Sequence, residues 1–267
     1  MKKQWLKRSV RIFSRHPSHN GIRGKIMVPT RLLACVRFGS KTIWNKSDKF
    51  LNSPEAIGNS SNKELMKRCF TAEEVNTAFW WSNVQTLLEE EEISFPIIAK
   101  KKYGSRGQGM VKIDNQDQLD VFIVNKRVEN YIFEQFHNFS REYRLHVNAD
   151  GCFYTCRKML KSDTPPDERW FRNDSNSVWF IEDNEQFDKP VNWDAIVNEC
   201  VKAMKAVGLD FGACDVRVQS ATNKEGEKRN NPKFIIIEIN SAPSFGEGTM
   251  EAYFKEIPLM LKQKYEE

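Results

Sequence analysis

Three groups of residues in this 267-residue chain have types and spacings that could do chemistry. In Phe234-Ile235-Ile236-Ile237-Glu238-Ile239-Asn240 an apolar run leads into a carboxylate and an amide two positions apart. Alternate residues of a strand share a face, so Glu238 and Asn240 would project together. Asp215 stands in a second apolar run, Gly212–Val218. Two carboxylates and an amide oxygen from neighbouring strands make a hard-oxygen site suited to Mg²⁺ held with nucleotide phosphates. The second group is Gly104, Gly107 and Gly109, three glycines in six residues after an apolar strand, which suggests a backbone nest for phosphate. Lys100, at the end of that strand, would need an anionic partner if buried. The loop is not a Walker loop: Gly-Lys-Ser/Thr is missing, and a strand follows where a helix should begin. A hairpin tip and outward-facing polar residues on an edge strand are the plainer alternatives. The third group is Arg141, Glu142, Arg144, Arg157, Lys158 and Lys161, followed by Arg172. So much positive charge on consecutive strands suits a phosphoryl group and a carboxylate. Glu142, Arg144 and His146 would share a face, with His146 reading as a packed or surface histidine rather than a catalyst.

The elements that must position these groups follow from periodicity. Asn59-Ser60-Ser61-Asn62 should cap a helix over about Lys63–Phe70. Thr71, with Glu74 three residues on, has capping-box spacing and predicts another over Thr71–Ala78. The polar run Glu89–Glu92 ends a helix-like stretch. Phe95–Lys100 and Gly109–Ile113 read as antiparallel strands flanking the glycine loop. A helix is expected over about Asp117–Val124, then strands over Tyr131–Phe136, Arg141–Asn148 and Cys152–Leu160. Trp193, Ile196, Val197, Cys200, Val201, Met204 and Val207 mark one face of a helix that Gly208 stops. Strands Gly212–Gln219 and Phe234–Asn240 and a helix Met250–Lys264 close the chain. Helices and mostly antiparallel strands in blocks give an α+β class.

The chain carries 41 Lys+Arg against 36 Asp+Glu, a net of +5, with 40% hydrophobic and 29% charged residues. That balance excludes disorder, collagen-like repetition and a coiled coil. The apolar runs fall far short of the ~18 residues that span a bilayer, so a soluble protein without a membrane partner is expected. Residues 1–47 hold 12 Lys/Arg and no acid, which leaves 29 basic against 36 acidic residues, or −7, on the rest. A basic arm can meet an anionic partner such as nucleic acid, act as a transit peptide, or be strands and loops whose charges face solvent. Charges interrupt Trp5, Leu6, Val10, Ile12 and Phe13, so no apolar core of a secretory signal forms. Six cysteines make no CxxC pair and no zinc spacing with histidine, which reads as reduced thiols in the cytoplasm. Cys152 and Cys156, four apart in a strand, would lie on one face.

In this order the segments resemble the ATP-grasp superfamily over roughly residues 50–267. Phe95–Lys100 with Tyr103–Met110 looks like the small-subdomain lysine and its glycine-rich lid. The resemblance assigns Lys100, Gly104, Ser105, Gly107 and Gly109 to nucleotide binding. Asn62-Lys63 resembles the step that supplies an earlier nucleotide lysine, here Lys63. Glu134-Gln135-Phe136 looks like the hinge that contacts adenine, Glu142 like a ribose-binding acid, and Arg144 like a substrate-side arginine. Glu238-Ile239-Asn240 resembles the Glu-x-Asn metal signature, with Asp215 as the preceding metal acid. Arg157–Lys161, including Lys158 as a nucleotide contact, followed by Phe171-Arg172-Asn173, is similar to the ribosomal-protein glutamate ligase branch. In that branch glycines follow the Arg-x-Asn region, where this chain has Asp174-Ser175-Asn176-Ser177. The resemblance implies an α+β ATP-grasp fold with two α+β subdomains clasping ATP. Residues 1–62 form a short basic segment, 63–136 the small subdomain with the lid, and 137–267 the large subdomain with the metal and substrate site. It implies a carboxylate–amine ligase using ATP and one or two Mg²⁺, with Mn²⁺ able to substitute, that works through an acyl phosphate. Its substrates would be a small-molecule or peptide carboxylate and an amine, with Arg144 and Arg172 catalytic. The rival readings are a small-molecule kinase on the same fold and a nucleotide- or nucleic-acid-binding module using the basic arm.

Overall fold

Residues 6–104, 107–173 and 175–266 are described by the computed structural model. The basic segment is folded. β1 (Lys7–Ser9) pairs antiparallel with β3 (Met27–Pro29), and β2 (Arg11–Phe13), β4 (Cys35–Arg37) and β5 (Phe50–Leu51) form a parallel sheet. Val10, Ile12, Val28 and Leu51 are buried and Lys7, Arg8 and Arg11 are exposed, while Arg37 is buried with its guanidinium donating to Thr42 O and Asn52 O. The buried apolar set packs on Tyr253, Ile257 and Leu261 of the last helix.

Two helices follow, α1 (Pro54–Ser61) and α2 (Lys63–Ala72). The Asn62 carboxamide oxygen accepts from the N–H groups of Glu64 and Leu65 at 2.9 and 3.2 Å, the N-cap that starts α2 as expected. The helix expected over Thr71–Ala78 does not form. Glu74 adopts a left-handed backbone (φ 51°), and Val75 N–H returns to Phe70 O, so α2 ends in a turn despite the capping-box spacing.

A smaller sheet comprises β6 (Trp80–Trp81), β7 (Ile97–Lys101), β8 (Val111–Ile113) and β9 (Tyr131–Gln135) in the order β6-β9-β7-β8. α3 (Val84–Leu88) and α4 (Gln116–Asn125) close its core around Leu87, Ile97, Leu119 and Phe133. β7 and β8 pair antiparallel across the glycine loop, as expected.

The larger sheet comprises β10 (Arg141–Asn148), β11 (Gly151–Leu160), β12 (Ser177–Ile181), β13 (Phe211–Val218) and β14 (Phe234–Asn240). Its order is β12-β11-β10-β13-β14, antiparallel throughout. α5 (Trp193–Ala206) buries Ile196, Cys200 and Met204 against Tyr143, Leu145 and Val216 on one face, and α6 (Glu247–Glu266) closes the chain. Gly208, at φ 80°, ends α5 where the sequence places the stop. Met66 and Phe70 of α2 join this same core, so α2 packs with the larger sheet although the sequence reading grouped it with the smaller.

A bulge corrects one further expectation. His146 pairs with Tyr154 but Val147 with Cys152, which leaves Phe153 as an extra residue. Cys156 therefore lies opposite Arg144, while Cys152 joins the helix-side core, and the two thiols occupy opposite faces. The class is α+β, and no helix among the described residues is long and apolar enough to cross a membrane.

Candidate active site

The free face of the larger sheet carries charge in rows. Register puts Arg144 opposite Asp215, and Asp215 opposite Glu238. A second row runs Lys158, Glu142, Arg217. β14 has its own bulge, for Asp215 pairs with Glu238 but Val216 with Ile236, so Ile237 is the extra residue. That extra residue returns Glu238 and Asn240 to the face that Asp215 occupies. Arg144 grips Asp215 through two parallel bonds of 2.7 and 2.8 Å. Asn240 Nδ2 donates to Glu238 Oε1 at 3.1 Å and to Asp215 Oδ2 at 3.3 Å. In the second row Glu142 Oε2 accepts from Arg217 at 3.2 Å and from Arg172 at 3.4 Å. The Arg172 Nε is buried with no hydrogen-bond acceptor among the described residues.

The opposing wall comes from the smaller sheet. Lys100 Nζ donates to Glu134 Oε2 at 2.7 Å, and Lys67 approaches the same oxygen at 3.3 Å. Lys67 is fully buried, with its ammonium also on Thr77 Oγ1. Lys63 opens α2 and joins the two walls, donating to Gly104 O at 2.9 Å and lying 3.6 Å from Glu238 Oε2. Phe171 lies 3.7 Å from where a Cβ on Gly107 would stand, so the loop after β11 meets the glycine loop over the cleft.

Between these walls is a cavity of about 420 Å³. It brings together Lys63, Lys100, Gly104, Gly107, Glu134, Gln135, Phe136, Glu142, Arg144, Lys158, Arg172, Asp215, Glu238 and Asn240, all expected from the sequence. Gly109 does not line it: at φ 72°, with Lys101 Cε 2.7 Å from any added Cβ, it serves the turn behind the loop. Ser105 falls outside the described residues. Sequence reasoning missed Lys67, Arg217, Trp170 and His16. Arg217 had a signal, being two residues from Asp215 on the same strand face. His16 had none, because only the folded basic segment carries it to the cavity rim.

That segment also fixes part of the wall. His19 Nε2 lies 2.8 Å from Pro243 O, beside the cavity, and Ser14 Oγ lies 2.6 Å from His19 Nδ1. A carbonyl only accepts, so Nε2 carries the proton and Nδ1 accepts from Ser14. Burial pulls His19 down to about 4. His146 is packed, as expected, against Tyr253, and burial pulls it down to about 3.

The electrostatics suit a cation joining two acids. Burial raises the Asp215 carboxyl, the Arg144 guanidinium works against that, and the neighbouring Glu238 charge adds to the rise. Burial acts on Glu238 in the same sense, but Lys63 and Lys100 outweigh it and hold that carboxyl below its ordinary value. Burial of Glu134 is likewise overcome by Lys100 and Lys67, while burial takes Lys67 down to about 8. No group of three His, Cys, Asp or Glu that could hold a metal occurs among the described residues. The candidate donor set is instead two carboxylates and an amide, and the mutual repulsion of Asp215 and Glu238 fits a hard divalent ion between them.

No family model and no curated protein matches the sequence. Solved structures do match the fold. D-alanine–D-alanine ligase from Bacillus anthracis superposes with a TM-score of 0.54 at 12% identity, over 80% of this chain and 73% of that one. The same enzyme complexed with ATP gives 0.51 at 12% identity, over 81% and 69%. ATP-grasp ligase PsnB, complexed with minimal precursor, gives 0.52 at 16% identity, over 81% of this chain. This chain has the ATP-grasp fold. It spans 63% of the PsnB chain, so the ATP-grasp core is shared while more than a third of that protein has no counterpart in the superposition.

Proposed function

We propose that this protein is an ATP- and Mg²⁺-dependent carboxylate–amine ligase. One observation carries the reading: a single cavity gathers Lys63 and Lys100 against Asp215, Glu238 and Asn240, with Arg144 and Arg172 alongside. ATP lies between the two sheets, its adenine toward Glu134–Phe136. The Glu134 carboxylate is already paired with two lysines, so adenine contact there falls to the other atoms of the hinge. Glu142 faces the ribose, and Lys63, Lys100 and Lys158 meet phosphate oxygens. The glycine loop closes over them and excludes water. Asp215, Glu238 and Asn240 would hold Mg²⁺, which would supply charge stabilisation for the transferred phosphoryl group.

The substrate carboxylate attacks the γ-phosphorus and ADP leaves. An amine then attacks the acyl phosphate carbonyl, loses its proton, and phosphate departs as the amide forms. Arg144 and Arg172, whose Nε lacks an acceptor, stabilise the acyl phosphate and the tetrahedral intermediate, where one such donor is typically worth ~3 kcal/mol. The route needs no nucleophilic side chain. All six cysteines are free thiols, which favours a reducing, cytoplasmic setting.

The test is incubation with ATP, Mg²⁺ and pooled carboxylates in the presence of hydroxylamine, which traps an acyl phosphate. Hydroxamate with ADP and phosphate is the expected result, and its mass identifies the acid. ADP with phosphate transferred to a hydroxyl acceptor, and no hydroxamate, would replace the ligase with a kinase.

A further inference from the structure

Two lysines share one carboxylate at the joint between the sheets. Lys100 of β7 donates to Glu134 Oε2 of β9 at 2.7 Å, and Lys67 of α2 reaches the same oxygen at 3.3 Å. Because α2 packs with the larger sheet, the Lys67 ammonium crosses from that core to the smaller sheet. Its other partner, Thr77 Oγ1, donates in turn to Ile236 O of β14 at 2.7 Å. Lys100 and Glu134 line the cavity; Lys67 does not, and it has no exposed surface. A buried ion pair seldom gains stability over apolar packing of the same volume, so tying the joint together is a weak reason for a lysine here.

The balance of charge gives a stronger one. A single carboxylate neutralises a single ammonium, so two ammoniums on Glu134 leave one positive charge over. Burial takes Lys67 down to about 8, Glu134 opposes that fall and Lys100 adds to it, so Lys67 is still charged at neutral pH. Of the other titratable groups nearby, Glu238 has Lys63 at 3.6 Å, and burial holds His137 below its ordinary value. The surplus therefore stays with Lys67 and Lys100, and of these two only Lys100 lines the cavity. We infer that Lys67 is a positioning residue for the nucleotide: by sharing Glu134, it leaves the Lys100 charge available to a phosphate. This rests on the ATP reading of the cavity and adds to it a residue that ATP does not touch. Without Lys67, Lys100 and Glu134 would form a closed, neutral pair beside the phosphates. With it, Lys100 can turn to a phosphate oxygen while Glu134 keeps a counter-charge, and no buried carboxylate is stranded.

Calorimetric binding of ATP and of adenosine, each in Mg²⁺ buffer, tests this, because only ATP carries phosphates for Lys100. The wild type should bind ATP more tightly than adenosine. Lys67→Met should lose about tenfold or more in ATP affinity, the scale of one hydrogen bond to a charged group, with adenosine affinity held within about twofold. Lys67→Gln, which can still donate to Glu134 but carries no charge, should behave the same way. Adding Glu134→Gln to Lys67→Met releases Lys100 and should restore most of the ratio of ATP to adenosine affinity. A residue that merely braced the joint would give no such recovery. Full ATP affinity in Lys67→Met or Lys67→Gln, an equal loss for both ligands, or a double variant whose ratio stays low would each overturn the inference alone. A wild type that binds neither ligand would overturn the ATP reading with it.

Discussion

Arg144 holds both oxygens of Asp215, at 2.7 and 2.8 Å, so a proposed substrate arginine and a proposed metal acid are one ion pair. Stability and chemistry are coupled there. Removing either partner strands a buried charge, at a cost of about 3–5 kcal/mol. Arg144→Ala and Asp215→Leu should each lower the thermal midpoint sharply, while Arg144→Met/Asp215→Leu should recover much of it. None of the three should turn over ATP. Calorimetry beside a phosphate-release assay separates the two effects, and a double variant no more stable than the singles would contradict the pairing.

Glu238, the other proposed metal acid, has no arginine partner among the described residues: its side chain is 27% exposed, lies 3.6 Å from Lys63 and accepts from Asn240. Glu238→Gln should keep the fold and lose about 10²–10³ in turnover, the scale of one electrostatic contact to a transferring group. Chelation of divalent ions should abolish wild-type turnover, with Mn²⁺ restoring part of it. Full turnover by Glu238→Gln would remove Glu238 from the metal site.

The glycine loop should respond to one methyl group. Gly107 holds φ 72°, a conformation that costs other residues roughly 1–2 kcal/mol. Gly107→Ala should raise KM for ATP several-fold and lower the melting temperature by a few degrees, the cost of that strain. An unchanged KM would show that closure of this loop is not needed for nucleotide binding.

Acid should loosen the protein through its buried histidines. His19 is pulled down to about 4 and His146 to about 3, against an ordinary 6.5. Between those values the unfolded chain binds more protons than the folded one, so stability is full above 6.5 and falls as pH drops toward 4. At pH 5 each histidine accounts for a loss of about 2 kcal/mol. Denaturant titrations at pH 7.5 and pH 5 should show that loss in the wild type and a smaller one in His19→Gln. Equal losses would mean that His19 is already charged in the folded state.

Much of the cavity could be read from the chain because its residues obey short periods. Glu238 and Asn240 alternate along an apolar strand, and Lys100 ends another, so type and spacing were enough. The bulges at Phe153 and Ile237 were not legible, since an extra residue leaves no mark in composition. The first put Cys152 and Cys156 on opposite faces; the second left the reading of Glu238 and Asn240 intact. Lys67 was hidden for another reason. Beside Arg68 it reads as solvent-facing, and only Glu134, distant in sequence, makes its burial tolerable. The helix expected over Thr71–Ala78 had a local start signal, but the backbone reversal at Glu74 and Val75 overrode it. The sheets of residues 6–51 have strands of two or three residues, too short to show a period.

The packing of α6 against the first strands also sets an order of events during synthesis. Val10, Ile12, Val28 and Val36 have no complete core until Tyr253, Ile257 and Leu261 emerge from the ribosome. Those strands are therefore translated long before the helix that covers them, and their apolar side chains stay in search of cover while the two larger sheets form. Sequence separation of this kind slows folding and exposes sticky surface meanwhile. The His19 contact with Pro243 beside the cavity joins residues just as distant in sequence and would be completed as late.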